Sequence, residues 1–381
     1  MERFLRKFGT GPGAAVFILT AAVFGFGQVK SVPNAQTKQV EVIREDLLPM
    51  PSATPLVTKT GSSEAVEPAA EPVIYANSPF PLLAETTIPG RSGVLIESLN
   101  GDVIVESSSD AAFNPASNVK LATAYAVLVT FGPNFRFITN VWTDGTLDAE
   151  TGLLDGNLYI SGRDPIFAYE HAVLLANELN RLGIRSVSGD LVVTDNFVMN
   201  RTSSASISAR SMLAALDSEK RPAAAKRAWS DYRYYSGAYS QYAESPGIFF
   251  YGEAVTGPVP NGTNLLLTHE SAAMRDVIKA MLIFSNNFLA ARLGEMLGGP
   301  QAIARLVLQY TGVSPDEFYM QTSSGLGINR VTPRAMMKLL RALRAELARF
   351  EMTLADILPV AGMDKGTLEN RFDTDFSRGS V

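Results

Sequence analysis

Asn114-Pro115-Ala116-Ser117-Asn118-Val119-Lys120, running on into Leu121-Ala122-Thr123-Ala124-Tyr125-Ala126-Val127-Leu128, reads as the opening turns of a buried helix. Asn114 suits an N-cap, and Pro115 falls where a helix tolerates proline best. Ser117 and Lys120 are three positions apart, so their side chains share one face. A serine hydroxyl is a poor nucleophile until a base takes its proton. A lysine becomes that base if burial leaves it partly neutral. Leu121, Ala122, Ala124 and Ala126 supply such a setting. The spacing alone is equally met by an ordinary helix start, so the rest of the chain has to decide.

Composition narrows the field. The 381 residues are enough for two domains, or for one elaborated domain with a tail. A net charge of -5 gives no basic surplus for nucleic acid. The absence of cysteine removes thiol catalysis, thiolate-bound zinc and disulfides. Only two histidines occur, His171 and His269, and neither lies in H-E-x-x-H. His171 reads as a packing or surface residue of a helix, and His269 as a loop residue. No G-x-S-x-G is present. No metal and no cofactor is expected. A serine whose base is lysine escapes the scarcity of histidine.

Upstream, Arg3, Arg6 and Lys7 precede an apolar run from Ala14 to Phe26, the layout of a signal peptide, with an uncleaved membrane anchor as the alternative. Residues 28–85 are rich in Pro, Ser, Thr, Ala and Glu and read as a disordered linker. The runs Gly93–Ser98 and Asp102–Glu106 flank Asn100-Gly101, a hairpin signal that leads into the Ser117 helix.

Downstream, strands are expected over Phe135–Trp142, Asn157–Ser161, Gly189–Thr194 and Gly262–Leu267, with a helix over His171–Leu182. Thr202–Gly247 is low in aliphatic pattern; its cluster Tyr232, Tyr234, Tyr235, Tyr239 and Tyr242 reads as packing. Helices follow over Ala272–Phe284, Phe288–Leu297, Gln301–Tyr310 and Arg334–Phe350. The fold class is α+β.

The pattern S-x-x-K, met by Ser117 and Lys120, resembles one of the three elements of the penicilloyl-serine transferase site, the others being S-x-N and K-T-G. Ser285-Asn286-Asn287 fits S-x-N; on its own it also reads as a helix break. A second match, Ser98-Leu99-Asn100, is accounted for by the hairpin turn. Longer stretches carry more. Asn114–Leu121, Phe131–Phe137, Gly162-Arg163-Asp164-Pro165, Ser324-Gly325-Leu326 with Asn329–Pro333, and Leu358–Gly362 with Gly366-Thr367-Leu368 occur in this order. Together they resemble the D-alanyl-D-alanine carboxypeptidase/endopeptidase family of the penicillin-binding protein 4 type.

The resemblance implies a transpeptidase/β-lactamase-like domain, a sheet plus a helical group, over residues 86–142 and 263–381, with an inserted α+β region at 143–262 after the export segment 1–27. It implies a serine peptidase of the periplasm or cell envelope, acting on peptidoglycan stem peptides and acylated by β-lactams. Ser117 would attack, Lys120 would take its proton, Ser285 would relay a proton to the leaving D-Ala and Asn287 would hold the substrate amide. Ser324 and Gly325 would line the substrate site. The family's K-T-G falls beyond the Gly366-Thr367-Leu368 segment. Lys59-Thr60-Gly61 spells it, but in the linker, and reads as chance. The expectation is a chain truncated before K-T-G and the late strands. Two alternatives follow: a non-catalytic peptidoglycan-binding pseudoenzyme or inactive fragment, and a serine β-lactamase, against which the peptidase motifs and the insertion argue.

Overall fold

The structure, a computed structural model, describes residues 28–31, 73–74, 92–235, 245–371 and 377–381. The apolar run to Phe26, most of the linker with Lys59-Thr60-Gly61, and Tyr239 and Tyr242 lie outside the described residues. The chain divides into two units, Pro33–Ser108 and the remainder.

Two short strands occur within the stretch read as a linker, β1 (Gln28–Ser31) and β2 (Val73–Ile74). In the smaller unit β2 joins β3 (Val94–Glu97) and β4 (Val103–Ser107) in a sheet ordered β2-β4-β3, antiparallel throughout. The hairpin forms where Asn100-Gly101 placed it. Gly101 takes a φ of +102°, which glycine adopts without a Cβ penalty. The Ser98 and Asp102 backbones close the turn at 2.8 Å.

The larger unit takes in β1 and continues with a 3₁₀ turn, Ala116–Val119, that runs into α1 (Lys120–Phe131). Then come β5 (Ile138–Thr143), β6 (Thr146–Leu147), β7 (Leu153–Asp155), β8 (Leu158–Gly162), α2 (Tyr169–Arg181), β9 (Ser186–Val187) and β10 (Leu191–Val193). Next are α3 (Ala205–Leu216), α4 (Ala223–Tyr235), β11 (Phe249–Phe250), β12 (Ala254–Thr256) and β13 (Asn264–Glu270). The last elements are α5 (Met274–Ile283), α6 (Asn287–Met296), α7 (Pro300–Thr311), β14 (Phe318–Tyr319), β15 (Arg330–Val331) and α8 (Pro333–Ala348). A six-stranded sheet runs β1-β13-β5-β8-β10-β12, and a four-stranded one runs β11-β9-β7-β6.

Two hydrophobic cores result. In the first, α1 is the central rod. Ala122 through Leu128 are all buried and, Thr123 apart, mainly apolar, so the helix must be surrounded. It is: α5, α6, α7 and α8 all pack on it through Ile278, Met281, Leu293, Val307, Leu339 and Leu343. The second core joins Leu158, Ile160, Leu191 and Val193 of the sheet to Leu175, Leu179, Phe197, Met212 and Leu216. The antiparallel pair β5–β13 stands between them in the chain, with Thr143 opposite Asn264.

One stretch without expected elements gains them, and one expectation needs correction. Thr202–Gly247 holds two helices, α3 and α4, although its aliphatic pattern is weak. Ser204 caps α3 by accepting from Ile207 N, and Ala209, Met212, Ala215 and Leu216 make a buried stripe of mostly small residues. His269 is a strand residue, fully buried in β13 opposite Thr139, because pairing with β5 continues to Glu270.

His269 belongs to a buried polar group with Asp164 and His171, packed around Phe167. Burial pushes the Asp164 carboxyl up to about 7 and holds the His171 and His269 imidazoles down to about 3 and about 4. A raised carboxyl stabilises the fold only below its ordinary value near 3.8, and that contribution is lost as pH rises toward 7. Lowered imidazoles act oppositely: theirs is present above 6.5 and lost as pH falls toward 3 to 4. Asp164→Asn removes only the first effect. Its stability relative to the parent should therefore climb between pH 4 and 7, by up to about 1.4 kcal/mol per pH unit. Urea unfolding across that window checks it; a constant difference would show that Asp164 does not titrate there.

Candidate active site

The 3₁₀ turn sets the first side chain. The expected cap at Asn114 is replaced by a tighter device: Asn114 Oδ1 accepts from Ala116 N at 3.1 Å, and Ala116 takes a φ of +47°. The chain thus enters α1 through a left-handed residue next to an exposed Ser117. Lys120, at the first position of α1, is 1% exposed. Its Nζ lies 3.0 Å from Ser117 Oγ, 2.8 Å from Asn287 Oδ1 and 2.5 Å from the Ser324 carbonyl. Burial holds the ammonium below the ordinary lysine range. Two of its three neighbours are carbonyl oxygens, which can only accept. A neutral amine spends its two N–H bonds on them and has its lone pair left for Ser117.

Ser285 and Asn287 arrive from the α5–α6 junction. Ser285 N bonds to Leu282 O at 3.2 Å and Asn286 N to Met281 O at 2.8 Å, the paired bonds of a Schellman turn. Ser285 holds the left-handed position of that turn, φ +48°, where glycine is usual. Asn286 caps α6 by accepting from Leu289 N. Asn287 then turns its carbonyl to Lys120, and Ser285 Oγ donates to Ser117 Oγ at 2.9 Å. The Gly366-Thr367 segment steadies this junction: Thr367 N and Oγ1 both donate to the Ile283 carbonyl, at 2.9 and 3.1 Å. A left-handed non-glycine residue costs roughly 1–2 kcal/mol. Ser285→Gly should accordingly be more stable than Ser285→Ala by about 1 kcal/mol, while both lose the contact to Ser117. Urea unfolding of the two variants checks the order, and equal stability would mean the turn has relaxed.

The third wall is the loop 321–330. Asn329 is fully buried and accepts from Gln321 N and Thr322 N, which fixes the loop's ends. Gly325, φ +94°, passes so close to Ala116 that a Cβ there would collide with the Ala116 carbonyl. The six residues expected at the site, Ser117, Lys120, Ser285, Asn287, Ser324 and Gly325, all come together. Ser324 meets Lys120 through its carbonyl, and Gly325 packs on the Ala116–Ser117 backbone. Two supporting residues were not singled out from the sequence. Thr123 Oγ1 donates to the Ser323 carbonyl at 2.8 Å, and Gly294 on α6 leaves room for Ser323. Thr123 continues the three-residue spacing of Ser117 and Lys120, a signal that could have found it. No cluster of three metal-ligating side chains occurs among the described residues.

The profile of the D-Ala-D-Ala carboxypeptidase 3 (S13) family matches residues 82–212 and 213–381. A D-alanyl-D-alanine carboxypeptidase of Actinomadura sp. (strain R39) is 31% identical over 105 residues, 27% of this chain and 19% of that enzyme. The match thus spans about a fifth of that relative's length. The penicillin G-acylated predatory endopeptidase Bd3459 of Bdellovibrio bacteriovorus, in complex with the immunity protein Bd3460, superposes with a TM-score of 0.60. The identity is 22%, over 73% of this chain and 74% of that one. Penicillin-binding protein 4 (dacB) of Haemophilus influenzae gives a TM-score of 0.53 at 20% identity, over 75% and 82% of the two chains. The last two establish a shared fold.

Proposed function

The chain belongs to the D-Ala-D-Ala carboxypeptidase 3 (S13) family, and from that premise we propose that it is a serine peptidase of peptidoglycan stem peptides, working through an acyl-enzyme and acylated by β-lactams. The observation that carries the reading is the buried Lys120 amine, 3.0 Å from the exposed Ser117 hydroxyl and held by two carbonyl acceptors.

The geometry supports a definite sequence of events. The Lys120 lone pair takes the Ser117 proton as Oγ attacks the carbonyl carbon of the penultimate D-Ala. Ser117 N–H, in the first turn of its helix, is free of intrahelical bonds and is a suitable donor to the oxyanion. Ser285 Oγ, 2.9 Å from Ser117 Oγ, gives its proton to the departing amine of the terminal D-Ala and takes back the proton held by Lys120. The Asn287 carbonyl is taken by Lys120, which leaves its amide N–H to donate to a substrate carbonyl. Water then attacks the ester and frees Ser117. A substrate of the cell wall requires export, in keeping with the charged and apolar start of the chain.

The test is intact-mass spectrometry after incubation with benzylpenicillin, followed by peptide mapping. One adduct per chain, on the peptide holding Ser117, is expected. Absence of an adduct, or an adduct elsewhere, would overturn the proposal.

A further inference from the structure

We infer that Thr123 is a positioning residue for the acylation step, acting through the Ser323–Ser324 peptide to aim the Lys120 amine at Ser117. The inference rests on the reading of Ser117 and Lys120 as nucleophile and base.

That peptide is held at both of its carbonyls by the helix that carries the nucleophile. Thr123 Oγ1 donates to the Ser323 carbonyl at 2.8 Å, and Lys120 Nζ to the Ser324 carbonyl at 2.5 Å. Ser117, Lys120 and Thr123 follow one another at three-residue spacing down one side of the turn and α1. Thr123 is fully buried, so its hydroxyl has no access to water as a second choice of partner. On α6, any side chain at Gly294 would strike the side chain of Ser323. Ser323 is therefore held by its carbonyl from α1 and confined at its side chain by α6.

The consequence for chemistry lies in the direction of the lone pair. The amine makes three contacts, and only Ser117 can give it a proton. Its two N–H bonds must be drawn to Asn287 Oδ1 and to the Ser324 carbonyl for the lone pair to face Oγ. Asn287 is fixed by the start of α6. The Ser324 carbonyl is fixed by the loop, and Thr123 is the hydroxyl that ties this part of the loop to α1. Without it the Ser324 carbonyl can leave the amine, which then rotates. Thr123 touches neither substrate nor the reacting atoms, so the effect is one of orientation.

The experiment compares the parent chain with Thr123→Val, which keeps the shape and deletes the hydroxyl, and Thr123→Ser, which keeps the hydroxyl. Acylation by a fluorescent penicillin is followed under pre-steady-state conditions, separating the first-order acylation constant from the dissociation constant of the preceding complex. For Thr123→Val the acylation constant should fall at least tenfold, with the dissociation constant within about twofold of the parent. Thr123→Ser should return to within about threefold. Gly294→Ala, which presses on the Ser323 side chain from α6, should also lower the acylation constant. Should Thr123→Val unfold, the Thr123→Ser and Gly294→Ala rates decide: a parent-like rate for Gly294→Ala overturns the inference. A Thr123→Val chain that folds and acylates like the parent overturns it too, and leaves the peptidase reading intact. A parent chain that forms no adduct removes both.

Discussion

Ser117→Ala should abolish the covalent β-lactam adduct, and Lys120→Met should slow its formation by about two to four orders of magnitude, the usual worth of a general base. Ser117 Oγ contacts Lys120 Nζ at 3.0 Å and Ser285 Oγ at 2.9 Å. Alanine leaves no atom to bond the acyl group. Methionine fills the volume of the lysine, which is 1% exposed, but has no lone pair that accepts a proton at neutral pH. It also leaves the Asn287 and Ser324 carbonyls without a donor, at roughly 1–3 kcal/mol for each one left buried and unpaired. The rates must therefore be read on protein shown to be folded by its denaturation midpoint. Stopped-flow acylation of the folded variants is the measurement. If Lys120→Met stays within tenfold of the parent, the base lies elsewhere, and Ser285 is the nearest hydroxyl to examine.

Gly325→Ala should cost the site nearly as much through sterics alone. The backbone at Gly325 has φ +94°, outside the region an alanine occupies easily, and the added Cβ would strike the Ala116 carbonyl and crowd Ser117 N. A sparsely populated conformation costs about 1–3 kcal/mol before any clash. The carbonyl cannot move independently, since Ala116 itself is held left-handed by Asn114. Either the 321–330 loop lifts off, removing the Ser324 carbonyl from Lys120, or the Ser117 turn shifts. In both cases acylation should drop by at least a hundredfold, because misplacement of about 1 Å suffices for that. A chevron-derived stability together with an acylation rate tests it. A variant within about 0.5 kcal/mol of the parent would mean that loop and turn are less tightly apposed.

Much of the site could be read in advance, because its chemistry is local in sequence. Ser117 and Lys120 share a helix face, and Ser285 and Asn287 share one helix junction. The hairpin at Asn100-Gly101 and the long amphipathic helices α5 and α8 were equally legible, since their periodicity is strong. What escaped was set by packing between distant segments. Thr123 looks like one more small residue in an apolar helix until Ser323 is laid against it. His269 reads as a loop residue until β13 is seen to pair with β5 as far as Glu270. The helix α3 was hidden because Ser208, Ala209 and Ala215 make up much of its buried stripe beside Met212 and Leu216, so the contrast with the exposed side is low. The left-handed Ser285 breaks a local rule at the point where its hydroxyl is needed, and such a position calls for glycine on propensity alone.

The β5–β13 pair also bears on how the chain reaches its native state. Ser117 and Ser285 are 168 residues apart, and Lys120 and Ser324 are 204 apart, so the site is assembled from contacts that form late and are entropically costly. Between them lies a segment with its own core, whose two ends are brought side by side where Thr143 faces Asn264. If that segment folds first, it is removed from the loop that must close to bring Ser285 to Ser117. The path shortens about fourfold, worth about 1 kcal/mol of closure entropy. That segment would then act as an internal clasp, and Ser117 would meet Ser285 only after the clasp had shut. An incompletely folded chain would carry Ser117 and Lys120 side by side, three residues apart, but without Ser285 at the hydroxyl and without the Asn287 and Ser324 carbonyls that orient the amine.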